Sequence, residues 1–250
     1  MSSTFTILDC ATGGLSNELK ALLELESINV NAHDESGSTA LNLAVQYEKV
    51  EIVKILLADP RVDPNFSNNY DMTPLTNALC YNKCDILNIL ARDHRVDINR
   101  LTRERFTLLH YAVLWCTKVE VELLLRVPGI DVNVANYKGS SPLISAAINN
   151  FTEKAELILA LGKNVDTTFT FQGKTALQHA QDRRSYNAKR LLIEYENDKV
   201  FVQWKLRHKY GTPGEFLFLF FSFFLFLTLH SPILNRNQFR QPLLLRRAGE

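Results

Sequence analysis

The chain has 250 residues, a net charge of +1, 46% hydrophobic residues and 22% charged residues, a composition that supports a folded core and excludes a disordered protein. The charge is uneven, since residues 1–197 carry 20 basic and 24 acidic residues whereas residues 198–250 carry 8 and 3. Because nucleic-acid binding relies on clustered Lys and Arg, the acidic balance of the first 197 residues argues against nucleic acid as a partner.

A period of 34 residues organises the chain from its first residues to about residue 197. A small residue recurs at Cys10, Ala44, Ala78, Ala112, Ala146 and Ala180. Three positions earlier, a large apolar residue recurs at Ile7, Leu41, Leu75, Leu109, Leu143 and Leu177. A second apolar slot comprises Leu22, Leu56, Leu90, Leu124, Ile158 and Leu192. Such a period predicts a stack of short units that bury their apolar faces only against their neighbours.

Each full unit is predicted to contain two helices. A hydroxyl residue suited to an N-cap precedes the first helix at Thr39, Thr73, Thr107, Ser141 and Thr175. Pro74 and Pro142 then occupy the first helical position, where a missing N–H donor costs nothing. The second helix is apolar over more than one stripe, as in residues 52–57, which predicts burial between two neighbouring units. Turn-rich segments ending at Asn65, Asn99 and Asn133 connect the units.

The order Gly-x-Thr-Pro-Leu-His-x-Ala, then Leu-Leu in a second helix, then Asp-Val-Asn, resembles the ankyrin repeat from about Phe5 to Tyr195. The resemblance implies an all-α repeat solenoid, a stack of about six helix-turn-helix units with hairpin-like connecting loops. The units are a degenerate first one at 4–33, then 34–67, 68–101, 102–135, 136–170 and 171–197. The family spacing is 33 residues, and the extra residue falls in the loop after the second helix, as in Asp59-Pro60-Arg61.

Three departures from the family pattern are visible. The motif histidine survives only at His110, which we expect to be a structural hydrogen-bonding residue. The motif glycine is replaced by Asp71 and Arg105 in two units, and the glycine that ends the first helix is missing from every full unit. These departures predict units that are less stable than idealised ones.

The resemblance also implies where a protein partner binds, because ankyrin proteins commonly grip partners with the hairpin tips and the exposed side of the first helices, on a concave face. The corresponding residues here are Tyr47, Tyr70, Met72, Tyr81, Arg103, Phe106, Leu114, Trp115, Tyr137, Lys138, Asn149 and Arg183. Large aromatic side chains with polar tips are typical of binding hot spots. The alternative is that Trp115 and Phe106 pack onto neighbouring loops.

The sequence predicts neither catalysis nor a cofactor. Its six histidines do not pair with a nucleophile at a recognised spacing, and it has no glycine-rich phosphate loop or paired-carboxylate motif. Cys80 and Cys84, four residues apart in a predicted helix, are candidates to share a metal with His110 or Cys116. Structural zinc usually needs a second matched pair, which this sequence lacks, so we predict no metal site. Few cysteines and no signal peptide predict a cytoplasmic location.

The C-terminal quarter leaves the repeat pattern. Residues 198–210 form a basic amphipathic segment that we expect to cap the last unit. The remainder, 211–250, is a hydrophobic tail whose run at 216–229 contains no charge. As a helix this run spans about 21 Å, which is short of the ~30 Å hydrocarbon core of a bilayer. Its candidate anchor residues are Phe216, Phe220, Phe224 and Leu229.

Three interpretations of the run at 216–229 remain open at the level of sequence. It is a short C-terminal anchor, or part of a larger ankyrin-bearing membrane protein, or a translated intron or misread frame rich in Phe, Leu and Ser codons. Two functions follow for the whole chain. One is a non-catalytic cytoplasmic adaptor that binds a protein partner on its concave face, and the other is the same adaptor tethered at a membrane, with membrane contact through the tail.

Overall fold

The computed structural model describes residues 6–102 and 105–211, and within these ranges it contains thirteen helices and no strand. The helices are α1 (Ile7–Gly13), α2 (Ser16–Leu23), α3 (Ala40–Gln46), α4 (Val50–Ala58), α5 (Pro74–Cys80), α6 (Cys84–Leu90), α7 (Leu108–Trp115), α8 (Lys118–Leu125), α9 (Pro142–Ile148), α10 (Thr152–Leu161), α11 (Ala176–Asp182), α12 (Tyr186–Asn197) and α13 (Lys199–Lys209). The first twelve form six pairs, each with a first and a second helix, so the predicted helical repeat fold is confirmed.

The first helices of the five full units begin at the predicted residues. A hydroxyl oxygen accepts a backbone N–H three residues on at Thr39, Thr73, Thr107, Ser141 and Thr175. Pro74 and Pro142 are the first residues of α5 and α9. The helix starts are therefore set by local side-chain chemistry, which is why the sequence reveals them.

The core follows the 34-residue register. All six members of the small-residue slot, from Cys10 to Ala180, are fully buried, which lets the first helices of neighbouring units approach closely. In the large apolar slot, the residues of the first five units are buried, namely Ile7, Leu41, Leu75, Leu109 and Leu143. Leu177, in the last unit, is partly exposed. The apolar register predicted from the sequence is thus the register of the core.

The connecting loops form short hairpins whose ends are joined by backbone hydrogen bonds. The amide of Asn68 donates to the carbonyl of Met72, and the Asn68 side-chain oxygen accepts the amides of Tyr70 and Met72. In the glycine slot of the hairpin, Asp71 and Arg105 adopt positive φ angles of 63° and 54°. These two residues therefore hold a backbone conformation that glycine adopts more easily.

Two cysteines lie differently from their predicted position. Cys80 is the last residue of α5 and Cys84 is the first residue of α6, so they do not share one helix. The turn between them passes through Asn82 at a positive φ of 54°. The spacing of four residues reflects this tight turn between two helices, not one turn of a helix.

In two of the loops that follow a second helix, an arginine reaches back to the second helix of the preceding unit. The Arg95 Nη2 atom donates to the carbonyl of Leu57, at the end of α4, over 2.7 Å, and to the carboxylate of Asp93 over 2.7 Å. Arg61 repeats the arrangement one unit earlier, with Asp59 and the carbonyl of Leu23. Each arginine thus caps the second helix of the preceding unit.

The last described helix, α13, packs onto the end of the stack. Val202 and Leu206 are buried, and the side chain of Gln203 donates to the carbonyl of Leu159 and the hydroxyl of Tyr195. None of the helices in the described ranges has the length and hydropathy needed to cross a bilayer. The candidate anchor at 216–229, with Phe216, Phe220, Phe224 and Leu229, lies outside the described residues.

Candidate partner-binding surface

Exposed aromatic residues lie at the C-terminal ends of three successive first helices. Tyr47 follows α3, Tyr81 follows α5 and Trp115 ends α7, and they are 51%, 48% and 58% exposed. Tyr137, in the next hairpin, is 54% exposed. We call these four residues the aromatic face. They present large apolar area to solvent on neighbouring units, as the sequence predicted.

Phe106 is buried and does not belong to the exposed surface. Only 8% of it is accessible, because its ring packs edge-on against Trp115 and Tyr137, with centroids 5.4 and 5.5 Å away. The expectation that Phe106 is exposed on the hairpin is therefore wrong, and the alternative, that it packs onto its neighbours, is correct. Phe106 supports two members of the aromatic face from below.

Tyr111 is a second aromatic residue that contacts Trp115. Its ring lies 4.7 Å from the Trp115 ring, at an angle of 51°. The interaction of the Tyr111 hydroxyl with the Cys80 thiol of the preceding unit, together with burial, raises the pKa of Tyr111 to about 12. The Trp115 ring thus contacts both Phe106 and Tyr111, and these contacts reduce the side-chain entropy that is left to lose when a partner binds.

The other predicted contact residues surround the aromatic face or continue its slots. Exposed members are Tyr70, Lys138, Asn149 and Arg183, and partly exposed members are Met72 and Leu114. The Lys138 ammonium lies 5.2 Å from the centre of the Tyr137 ring, a cation–π contact. Arg103 lies outside the described residues. The aromatic slot becomes polar at Asn149 and Arg183, so the aromatic surface is confined to the middle of the stack.

His110 is fully buried and has a structural role, as predicted. Its Nε2 atom lies 2.8 Å from the carbonyl of Ser140, so this nitrogen carries the proton and donates. Its Nδ1 atom accepts from the hydroxyl of Thr107 over 2.8 Å. Burial lowers the pKa of His110. Both ring nitrogens are committed to the fold, joining the start of α7 to the next hairpin.

The cysteines near this surface are poor nucleophiles and ligands. Burial raises the pKa of the Cys80 thiol and raises that of Cys116 to about 11, so both remain protonated at neutral pH. Within the described ranges, no group of three or more His, Cys, Asp or Glu residues is placed to hold a metal.

A polar cluster that was not predicted from the sequence lies at the end of α7. The Lys154 ammonium, from α10, donates to the carbonyls of Val113 and Cys116 over 2.6 and 2.7 Å. The buried carboxylate of Glu120 accepts from the Thr117 hydroxyl over 2.5 Å. The sequence does mark this cluster, because Glu120 and Lys154 are charged residues in a slot that is apolar in the other full units, where it holds Ile52, Ile86 and Ala188.

Comparison with solved structures finds the same fold. The ankyrin repeat protein EF0377 aligns with a TM-score of 0.65 at 23% identity, over 78% of this chain and 100% of that one. An ankyrin repeat domain from Acinetobacter baumannii AYE aligns with a TM-score of 0.65 at 25% identity, over 75% and 96%. The ankyrin repeat domain of Bcl-3, a member of the IkappaB protein family, aligns with a TM-score of 0.66 at 24% identity, over 74% and 81%.

Sequence comparison agrees with the structural comparison. No curated protein sequence gives a significant match. The family model for ankyrin repeats (three copies) matches residues 7–102 and 109–202, which is most of the chain. The 34-residue register, the capped first helices and these matches establish that the chain belongs to the ankyrin repeat family.

Proposed function

We propose that this protein is a non-catalytic adaptor that binds a protein partner through the aromatic face centred on Trp115. Ankyrin repeats generally serve as protein–protein interaction modules. The observation that carries the proposal is Trp115 itself, which is 58% exposed although Phe106 and Tyr111 hold its ring in place. A rigid, exposed tryptophan gains apolar burial on binding at low entropic cost.

The chemistry of the surface supports a binding role over a catalytic one. His110 is neutral and fully hydrogen-bonded, and the Cys80 and Cys116 thiols have raised pKa values. A general base or a nucleophile needs the opposite conditions, namely a free basic nitrogen or a thiolate. The proposal places the adaptor in the cytoplasm, which is supported by four free cysteines in a chain of this size.

The test is truncation of the central tryptophan. Trp115→Ala removes the exposed ring, and we expect it to weaken binding by about 2 kcal/mol or more, about thirtyfold in Kd. Partners are identified by comparing proteins recovered by the parent chain and by Trp115→Ala in quantitative mass spectrometry. Each candidate is then purified and its Kd for both chains is measured by calorimetry.

Tyr186→Ala is the matched control, because Tyr186 is an aromatic residue, 74% exposed, that begins the second helix α12. We expect this variant to recover and bind the same partner as the parent. If no protein distinguishes Trp115→Ala from both the parent and Tyr186→Ala, while all three have the same melting temperature, the aromatic face is not the binding surface.

The membrane-tethered alternative adds a location to the same binding role. It rests on the uncharged run at 216–229. Alkaline extraction of membranes from cells that express residues 1–250 or residues 1–211 tests it. Retention of only the longer chain in the membrane pellet would add a tether to the proposal, whereas release of both chains would remove it.

A further inference from the structure

The C-terminal end of α7 differs from the ends of the other first helices in the full units. In those units the residue two positions after the helix has a positive φ of 54–56°, namely Glu48, Asn82, Asn150 and Arg184. The next amide then donates back to the carbonyl of the recurrent small residue of the helix, for example from Lys83 to Ala78 over 2.8 Å. In the unit of α7 the equivalent residue, Cys116, is extended, with φ −98° and ψ −179°.

This difference changes the place of Trp115. The equivalent residues Tyr47, Tyr81 and Asn149 are the C-caps that follow their helices, whereas Trp115 is the last residue within α7. In the other full units, the residue at positive φ turns the backbone so that the next amide bonds to one of the last carbonyls of the helix. Cys116 is extended, so α7 cannot end in this way. The carbonyls at the end of α7 therefore need another donor.

Lys154 supplies that donor from the next unit. Its ammonium lies 2.6 Å from the carbonyl oxygen of Val113, 2.7 Å from that of Cys116 and 3.4 Å from that of Ala112. An ammonium has three N–H groups, and a positive charge is favoured where the helix dipole is negative. The same ammonium lies 4.6 Å from the centre of the Phe151 ring, which restricts it further.

The lysine stands in a position that is otherwise part of the core. Its slot is filled by buried Ile52, Ile86 and Ala188 in three other units. Burying an amine there has a desolvation cost, and burial indeed lowers the pKa of Lys154. Glu120 occupies the same slot in the preceding unit, and its buried carboxylate favours the charged form of the Lys154 amine. The contacts at the end of α7, together with the charge of Glu120, compensate for this loss of apolar packing.

We propose that Lys154 is a positioning residue, which caps α7 from the neighbouring unit and so holds Trp115 in the helical end where Phe106 and Tyr111 support its ring. This inference rests on the proposed function of the aromatic face. The aromatic face then depends on a helix end that is found in the unit of α7 and not in the other full units.

The experiment uses the full chain with Trp204→Phe, so that Trp115 is the sole tryptophan. Lys154→Met keeps the length of the side chain and removes the ammonium. We expect a changed Trp115 emission spectrum and about tenfold faster hydrogen exchange of the Cys116 amide, which donates to Ala112 at the helix end. Lys154→Arg retains a donor and should largely restore both signals.

Lys118→Met is the matched control, since Lys118 is a nearby exposed lysine that pairs with Glu153 over 3.3 Å. It should leave both signals at their parent values. The proposal is overturned if Lys154→Met leaves the Trp115 spectrum and Cys116 exchange unchanged. It is equally overturned if exchange accelerates as much at the end of α3, near Tyr47, because the effect would then be general destabilisation.

Binding data separate this inference from the proposed function. A partner that depends on Trp115 and binds Lys154→Met with unchanged affinity refutes the positioning role and leaves the proposed function intact. Changed Trp115 signals in Lys154→Met, with no partner that distinguishes Trp115→Ala, refute the proposed function while the structural effect of Lys154 on Trp115 stands.

Discussion

At the scale of one residue, His110 shows how a side chain of the repeat motif stabilises the fold through hydrogen bonds. The same slot in the other full units holds Asn42, Thr76, Ile144 and Gln178. At His110 the imidazole joins Thr107, the N-cap of α7, to the carbonyl of Ser140 in the next hairpin. The bond to Ser140 needs a protonated Nε2 atom and the bond from Thr107 needs a bare Nδ1 atom, so the neutral ring fits both partners.

This arrangement predicts a stability that depends on pH. Above pH 6.5 the ring is neutral in the folded and unfolded states, so His110 adds no pH dependence. Below pH 6.5 the unfolded chain takes up a proton, whereas the folded chain resists it because burial lowers the pKa of His110. We expect the free energy of unfolding to fall more steeply from pH 7 to pH 5 in the parent than in His110→Gln.

Urea titrations at the two pH values measure this difference. Each pH unit below 6.5 is worth at most about 1.4 kcal/mol, so the extra loss at pH 5 is limited to about 2 kcal/mol. Gln178 occupies the slot in another unit, where its side chain accepts from the Thr175 amide, so glutamine is a compatible replacement. Equal slopes in the two chains would mean that His110 takes up its proton in the folded state as easily as in the unfolded state.

At the scale of one element, the starts of the first helices could be predicted from the sequence, whereas the side chains that close the ends of α4 and α7 could not. The caps at Thr107 and its equivalents bond to amides three residues away, so the signal is local. The end of α7 is closed by Lys154, and the end of α4 by Arg95, each more than 35 residues along the chain. Only the stacking of units brings these side chains to the carbonyls, and a local pattern does not contain that information.

The loop arginines nevertheless recur in the sequence with the period of the units. Asp59-x-Arg61 and Asp93-x-Arg95 are 34 residues apart, which is the spacing of the units. From the sequence alone the pattern predicts a turn, and it does not show that the arginine bonds to a distant helix end. In the structure, the aspartate fixes the guanidinium, which then reaches back to the preceding second helix.

Arg95→Met tests the contribution of this cap to stability. The guanidinium donates to the carbonyls of Leu57, Asp59 and Val62, and its side chain is 24% exposed. Hydrogen bonds from a charged group are worth about 1.5–3 kcal/mol, and partial exposure favours the lower end of that range. We therefore expect urea unfolding to show a loss of about 1.5 kcal/mol.

The control for this substitution is Arg92→Met, because Arg92 is an exposed arginine three residues earlier in the same loop. We expect its effect to stay within about 0.5 kcal/mol, the usual range for surface substitutions. Equal losses in the two variants would show that loop charge, and not the cap on α4, accounts for the stability.

At the scale of the whole molecule, the units are joined by a ladder of asparagines as well as by the core. Its members are Asn31, Asn65, Asn99 and Asn133. Each side-chain oxygen accepts an amide from the next loop and each side-chain nitrogen donates to a carbonyl there. For Asn99 the partners are the amide of Asp131 and the carbonyl of Gly129, both at 2.8 Å. The recurrence of asparagine predicted turns, but the bonds between successive loops are visible only in the stack.

The ladder leads to a prediction about how the stack unfolds. In a repeat protein, stability is close to a sum of unit terms and interface terms between neighbours, so the place of a lost contact matters. Asn99→Ala removes two hydrogen bonds in the middle of the stack, and we expect a loss of about 1–2 kcal/mol. Asn31→Ala removes the equivalent pair beside the degenerate first unit, where fewer neighbours depend on it.

Urea unfolding followed by circular dichroism and by tryptophan fluorescence distinguishes the two positions. Trp115 and Trp204 both lie after Asn99, so fluorescence reports the second half of the stack and circular dichroism reports all helices. For Asn99→Ala we expect a lower midpoint than for Asn31→Ala and a separation of the two signals, because the halves are less tightly coupled. Equal midpoints and coincident signals in both variants would instead mean that the chain unfolds as one cooperative unit, in which the position of an interface bond has no consequence.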